Sequence, residues 1–501
     1  MGCKGPHLPC FVMSAHAHDP IRFRWVFCQL ETLQQCLPQS LRQTLDELPE
    51  SLDGTYERVM MEIMRANQSH AYRMLQCLTV ANRPLSVAEL AEILAFDFSE
   101  AKGGIPKLNS NWRWDDHEQA VLSTCSSLVT VVPSYPSPIV QFSHFSVKEF
   151  LMSDRLASSR REISQYHISL PDAHTLLVRA SLAILLHDPD VDGHADSGAL
   201  AEYAAEHWTT HAQFENIASQ LRDEIQDLFD PDKPYFEAWV RLHDMDARNR
   251  SNFPEAPDSE PRARPLYYAA LCGFLELVEH LTLKYPQYAS ARGGVFGTPL
   301  HSATLEGYLQ VVRYLLRHGV NVNVLDSAND TPLLLASWRG HLDVVQCLLE
   351  HGADMNLLDN EHDAPLTLAA FYGHVDVVRL LLEHNAEPNS QDKDGYTPLH
   401  DVMGGGRFNA ERAQIVRLLL EHGADPNARD HKLQTPLHLV SMRADLLDVL
   451  RLLLEHRADL DAKDEDGKTP LQLSLDKGRD EVTRLLSEYS KKSMLGSVTS
   501  V

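Results

Sequence analysis

The chain is short of positive charge. Its 501 residues hold 45 lysines and arginines against 70 aspartates and glutamates, a formal charge of −25 at pH 7, so its field repels phosphate backbones and anionic headgroups. Nucleic acid and membrane surfaces are therefore not expected as partners. The eight cysteines (Cys3, Cys10, Cys28, Cys36, Cys77, Cys125, Cys272, Cys347) form no CxxC pair and keep no regular spacing, which excludes a disulfide scaffold and reads as reduced thiols in a cytosolic protein. Long apolar runs are scarce: the best, Leu176 to Leu186, is broken by Arg179 and falls far short of the roughly 20 residues that span a bilayer. It reads as a core helix. The N-terminus lacks the basic and apolar regions of a signal peptide, and Pro6 stands where a myristoylation signal wants Ser or Thr. Apolar residues themselves are plentiful, at 44%, enough for large cores and, at about 150 residues per domain, roughly three domains.

Catalytic signatures are missing too. No GxxxxGK[ST] stretch offers glycine amides and a lysine to phosphates, and no HExxH, nucleophile elbow or dinucleotide fingerprint occurs. An enzyme is not expected, nor a cofactor, a metal or a small-molecule substrate. Asp188-Pro189-Asp190-Val191-Asp192-Gly193 opens like a calcium loop, but the twelfth position is Ala199 instead of a bidentate Glu, so it reads as an acidic solvated turn. His16 and His18, near Cys10, match no zinc spacing. His318, His351, His384, His422 and His456 recur at equivalent places, and stacked helices about 10 Å apart cannot bring such a ladder to one metal.

What the C-terminal half has is self-similarity. Thr298-Pro299-Leu300-His301, Thr331-Pro332-Leu333, Ala364-Pro365-Leu366, Thr397-Pro398-Leu399-His400, Thr435-Pro436-Leu437-His438 and Thr469-Pro470-Leu471 recur after a degenerate Arg264-Pro265-Leu266, the prolines lying 34, 33, 33, 33, 38 and 34 residues apart. In each copy the Thr caps a helix, and the Pro takes its first position, where the missing N–H costs nothing. A glycine such as Gly307, Gly340 or Gly373 ends that helix, in a left-handed conformation that side chains disfavour. Val344, Val345, Leu348 and Leu349 then mark a second amphipathic helix. One such pair cannot bury its own apolar face, so the copies must stack into a solenoid. Three departures stand out. Arg264 and Ala364 replace the capping Thr; an insertion lies around Gly404 to Asn409, between the helices of the fifth copy; Met442-Arg443-Ala444 lacks the helix-ending glycine, so an irregular turn is expected there.

This TPLH…A…GH…VV..LL..GA pattern resembles the ankyrin repeat, in seven copies over about residues 262 to 490. Upstream, Ser86-Val87-Ala88-Glu89 is a capping box, and Leu128 to Val132 and Ile139 to Phe142 flank a Pro-rich turn as a hairpin would. Helices around a terminal hairpin fit a small winged helix. Leu45-Asp46-Glu47-Leu48-Pro49, Thr55-Tyr56-Glu57-Arg58-Val59, Arg83-Pro84-Leu85 and Phe142-Ser143-His144-Phe145-Ser146-Val147-Lys148-Glu149-Phe150-Leu151 resemble the region just after the nucleotide-binding core of NACHT signalling NTPases, the NLR-like STAND proteins common in fungi. The likeness covers roughly residues 20 to 245. In that family a NACHT ATPase precedes a winged helix, a helical segment and a repeat sensor. Since the likeness starts near Arg22 and no P-loop is present, the ATPase core is expected to be missing and not mutated. His144 falls where the family can place a histidine facing ADP; without a P-loop a buried or capping role is expected. The helix after Ser86, Val87-Ala88-Glu89-Leu90-Ala91-Glu92, is acidic where a DNA-reading helix needs Lys or Arg.

The expected architecture is mostly α, a winged-helix and helical N-terminal region followed by an α-solenoid with short hairpin turns. Its segments are 1–29 poorly ordered in part, 30–67 helical, 68–152 winged helix, 153–245 helical, 246–261 linker, 262–490 seven repeats and 491–501 flexible tail. The ankyrin likeness implies protein binding through turn tips and the inner helix face, at the two residues before the glycine that ends the first helix: Leu305-Glu306, Trp338-Arg339 and Phe371-Tyr372. Large apolar residues in a row at positions expected to be exposed suggest a binding patch, with Arg339 as a polar rim. Tyr396, at a turn tip, and Phe408, in the insertion, are further candidates. Thr499-Ser500-Val501 matches a PDZ-type ligand in three residues only. The expected function is a non-catalytic scaffold that recognises a protein partner in intracellular signalling or NLR-like recognition, in the cytoplasm or the nucleus. The alternatives are a STAND NTPase whose ATPase core lies outside this chain and an ankyrin-type transcription co-regulator.

Overall fold

The computed structural model describes residues 51–98, 104–109, 112, 116–125, 127–187, 198–245, 263–404 and 409–498. Several expectations lie outside the described residues: the segments 1–29 and 30–50, the linker, Cys3, Cys10, Cys28, Cys36, His16 and His18, the Asp188 to Gly193 turn, Phe408, and Thr499 to Val501. The chain divides into two compact units, Met1–Leu228 with Glu237–His243, and Phe229–Phe236 with Asp244–Val501.

In the first unit the expected hairpin forms. Val129–Val132 pairs antiparallel with Ile139–Phe142, Val129 opposite Phe142, and Leu85–Ser86 adds to the other edge of Ile139–Phe142, Leu85 opposite Val140. The capping box is present: Ser86 Oγ accepts from Glu89 N at 3.2 Å, and Glu89 returns a carboxylate oxygen to Ser86 N at 2.6 Å. That helix, Val87–Leu94, buries every residue but Ala88, its two glutamates included. Glu89 pairs with the Arg83 guanidinium at 2.6 Å and Glu92 accepts from Leu200 N at 2.7 Å. These glutamates therefore serve their own domain and do not present an acidic outer face. His144 caps helix Phe145–Leu151, its ring nitrogen accepting from Ser146 N at 3.3 Å, the capping role expected of it. Helix Leu170–Leu185 is a core helix with Leu177, Val178 and Leu182 buried. Among the described residues no helix is long and apolar enough to cross a membrane.

A single core cluster runs from Leu52 and Tyr56 through Leu90, Val140 and Phe150 to Ile163, Tyr166, Leu177 and Tyr203. The expected division at residue 152 thus has no gap in the core, because helix Leu170–Leu185 packs on helix Gln68–Val80.

The second unit stacks seven helix pairs. The inner helices are Pro265–Leu271, Pro299–Leu305, Pro332–Arg339, Pro365–Tyr372, Pro398–Gly404, Pro436–Ser441 and Pro470–Asp476, each opening on its proline. The outer ones are Leu275–Lys284, Leu309–Arg317, Leu342–Glu350, Val375–Glu383, Asn409–Glu421, Leu447–Glu455 and Asp480–Val498. The last runs into the segment expected to be a flexible tail, since no proline interrupts the sequence after Pro470. Thr331 Oγ1 accepts from Leu334 N at 3.2 Å, and Thr469 exchanges bonds with Gln472. Thr298, Thr397 and Thr435 pair instead with the Nδ1 of His301, His400 and His438, at 2.8, 2.9 and 2.8 Å. Their Nε2 atoms donate across to backbone carbonyls of the next turn, His301 to Val324 and Asp330 at 3.1 Å, His400 to Gln434 and His438 to Lys468 at 3.2 Å. Arg264 and Ala364 supply no side-chain cap. Gly307, Gly340 and Gly373 sit at φ of 79°, 77° and 84°.

The histidine ladder is structural. Nδ1 of His318, His351, His384, His422 and His456 each bonds the carbonyl four residues back, at 2.8 to 2.9 Å, sealing the outer helices. In the sixth repeat the turn without glycine is held by Arg443, which donates to the Met403 carbonyl at 2.8 Å and grips Asp445.

Candidate protein-binding face of the repeat array

The residues before the helix-ending glycines do not behave alike. Leu305 is 2% exposed, which removes it from any binding patch, although its backbone follows the same course as those of Trp338 and Phe371, helical through the next residue and then left-handed at Gly307, Gly340 and Gly373. The shorter side chain is taken into the core. Glu306 is exposed, yet desolvation by its neighbours raises its carboxyl above the ordinary range against the opposing charges of Arg339 and His341. Trp338 is half-buried, with the exposed Arg339 guanidinium 4.3 Å over its ring.

Phe371 and Tyr372 are 37% and 40% exposed. The Tyr372 ring lies edge-on to Trp338, centroids 6.2 Å apart, and edge-on to Phe371 at 5.0 Å. The row is therefore Trp338, Tyr372, Phe371, with Tyr372 in the middle, and spacing by 33 residues is not the contact itself. Tyr396 is half-buried and stacks on His400 at 5.7 Å; its amide bonds Asp392 Oδ1 at 2.7 Å. Its ring covers the capping histidine.

Sequence reasoning missed a band of carboxylates along the turns. Asp326, Asp359, Asp392 and Asp430 each accept two turn amides at 2.7 to 2.9 Å, a bond set that the Asp standing a few residues ahead of each cap position would signal. Asp330, Asp363 and Asp401 stand beside them. Burial and the charges of Asp326, Asp359 and Asp363 push Asp330 up to about 8. Burial and Asp359, Asp392 and Glu361 push Asp363 up to about 7. Burial with Asp363 and Asp392 raises Asp401 to about 8. Carboxylate oxygens of Asp363, Asp392 and Asp401 lie within 4.8 Å of one another. Asp401 Oδ2 is enclosed without a hydrogen-bond partner. The described cysteines Cys77, Cys125, Cys272 and Cys347 are buried and in no disulfide, and burial pushes their thiols up, so none is poised as a nucleophile.

Residues 266–359, 351–430 and 408–494 match the family described as ankyrin repeats in three copies. Residues 56–161 match the winged helix domain of GPI inositol-deacylase. A curated relative, the azaphilone pigments biosynthesis cluster protein L of Monascus ruber, is 29% identical over 297 residues, which cover 56% of this chain and 61% of the relative. The chain thus spans less than two thirds of that relative's length. The C-terminal half of the chain is an ankyrin-repeat array, and a winged helix of the GPI inositol-deacylase type, as in NACHT-associated proteins, precedes it.

Proposed function

We propose that this chain is a non-catalytic interaction protein whose ankyrin array captures a protein partner on the inner face of its third and fourth repeats. One observation carries the reading. Trp338, Tyr372 and Phe371 touch in a row, with Tyr372 and Phe371 more than one third exposed. Aromatic rings rimmed by an arginine are the usual composition of a binding hot spot. The NACHT-type winged helix supports a place in intracellular, NLR-like recognition, where the array would sense and the N-terminal unit would relay. The name of the Monascus ruber relative favours a second setting, in which the captured protein belongs to pigment biosynthesis. Affinity capture with the full chain and with its Trp338→Ala/Tyr372→Ala variant tests the reading. The proposal expects proteins retained by the first and lost by the second, with both chains equally folded by circular dichroism. Identical captured sets would overturn it.

A further inference from the structure

The aromatic row stops at the fifth repeat. Thr397 precedes that repeat's inner helix as Thr331 and Ala364 precede the two before it, and the place held by Trp338 and Phe371 is there occupied by Gly404. Gly404 is exposed, and among the described residues the side chain within 4 Å of where its Cβ would stand is Phe371, at 3.9 Å. Among the described residues a notch is left beside the Phe371 ring. Asp401 lies three residues before Gly404 on the same helix, hence on the same face one turn away. It is half-buried, and Asp363 and Asp392 close round it.

The Phe371 ring and Gly404 floor this notch, and one turn away stand the carboxyls of Asp363, Asp392 and Asp401, anionic together once the pH exceeds the values of about 7 and 8 to which Asp363 and Asp401 are raised. A neutral side chain would leave the three carboxylates crowded, and an acidic one would add to their repulsion. A long cationic side chain answers both ends, its methylene stem lying on the ring and glycine and its charge reaching the carboxylates. The surroundings agree: residues 351–400 contain nine acidic and two basic side chains, net −7, so a basic segment is drawn to this stretch and an acidic one repelled. The crowding that raises Asp363 and Asp401 is what an incoming cation relieves.

We propose that the partner docks a basic segment here, seating a lysine or arginine between Phe371 and Gly404 with its charge on Asp401 and Asp363. This rests on the reading of the inner face as the partner surface and names the partner's chemistry.

The test uses the full chain at pH 9, above the value of about 8 to which Asp401 is raised, and fluorescent twelve-residue peptides of alternating arginine and leucine, with a glutamate–leucine peptide as comparison, followed by anisotropy. The arginine peptide is expected to bind and the glutamate peptide not. Gly404→Leu fills the notch without touching a charge, and Asp401→Asn removes the charge without touching the notch; each is expected to weaken binding about tenfold. Asp376→Asn, exposed on an outer helix, should leave affinity unchanged. Equal losses with Asp376→Asn, or none with Gly404→Leu, would show diffuse charge attraction and overturn the proposal. Calcium or magnesium chloride that displaces the peptide at equal ionic strength would make the carboxylates a metal site and overturn it as well. If Trp338→Ala abolishes protein capture while Gly404→Leu and Asp401→Asn leave peptide affinity intact, the aromatic face stands and the basic notch falls.

Discussion

The imidazole of His341 stands on Gly307. Its Nε2 donates to the Leu305 carbonyl at 2.9 Å, and a Cβ added to Gly307 would meet ring atoms at 2.8 Å. The same arrangement joins His374 to Gly340, with Nε2 on the Trp338 carbonyl at 2.9 Å, and Arg479 stands in at the end, donating to the Met442 carbonyl at 3.0 Å. Gly307 and Gly340 therefore serve two purposes, a left-handed turn and a seat for the next repeat's ring.

Gly307→Ala should cost about 2 kcal/mol or more, since it combines left-handed strain with a clash. Urea unfolding of the full chain measures it. The double variant Gly307→Ala/His341→Ala should cost less than the sum of the two single changes, because the clash is gone. Strict additivity would mean that the ring and the glycine are independent.

In the first unit His174 Nδ1 and His211 Nδ1 are 2.8 Å apart, and His211 Nε2 meets the Tyr203 hydroxyl at 2.9 Å. Burial and the nearby His174 and His207 lower His211 to about 3, and burial lowers His174. The folded unit thus holds both rings neutral, while the unfolded chain takes up protons near pH 6.5. Stability should fall as the pH drops below about 6.5 and keep falling toward 3. His211→Asn, which takes up no proton, should flatten that slope while lowering stability at pH 7. Near-ultraviolet circular dichroism of the buried Trp208–Trp239 pair follows this unit. An unchanged slope would place the acid sensitivity elsewhere.

Local chemistry made the array legible. Proline after threonine, a glycine closing the same helix and paired valines in the next fix where helices begin, end and face, and these signals needed no knowledge of neighbours. The capping box at Ser86 and the roles of His144 and His318 were readable for the same reason. Leu305 was not, because whether a side chain at a helix end is enclosed depends on its size and on the neighbouring repeats that pack against it. Nor was the meeting of Phe371, Gly404, Asp363 and Asp401, which depends on register between stacked repeats. The core that crosses residue 152 was hidden likewise, since contacts between Gln68–Val80 and Leu170–Leu185 leave no mark in either segment alone.

Burial separates Leu305 from Trp338 in a measurable way. Leu305→Ala empties a core position and should cost about 2–4 kcal/mol in urea unfolding, with little effect on partner affinity once folded. Trp338→Ala removes a half-buried ring, so it should cost less stability and weaken partner binding by about 2 kcal/mol. The reverse pattern would put Leu305 at the interface and Trp338 in the core.

Asp401 gives the array a pH dependence of opposite sign to that of the histidines. Its carboxyl titrates near 8 when folded, against 3.8 ordinarily. Below about pH 3.8 it is protonated whether folded or unfolded, and it carries no penalty. As the pH rises, the unfolded chain releases its proton first, so folding is progressively disfavoured until about pH 8, above which the penalty is constant. Asn mimics the protonated form at every pH. Asp401→Asn should therefore raise the melting temperature of the array at pH 9 and leave it unchanged near pH 3.5, the gain growing between the two. Since the same change is expected to weaken binding of the arginine peptide, a more stable array with a weaker grip would assign that loss to the missing charge. Loss of structure could not explain it. A melting temperature that falls at pH 9 would show that the Asp401 carboxylate stabilises the fold, contrary to the crowding of Asp363 and Asp392 around it.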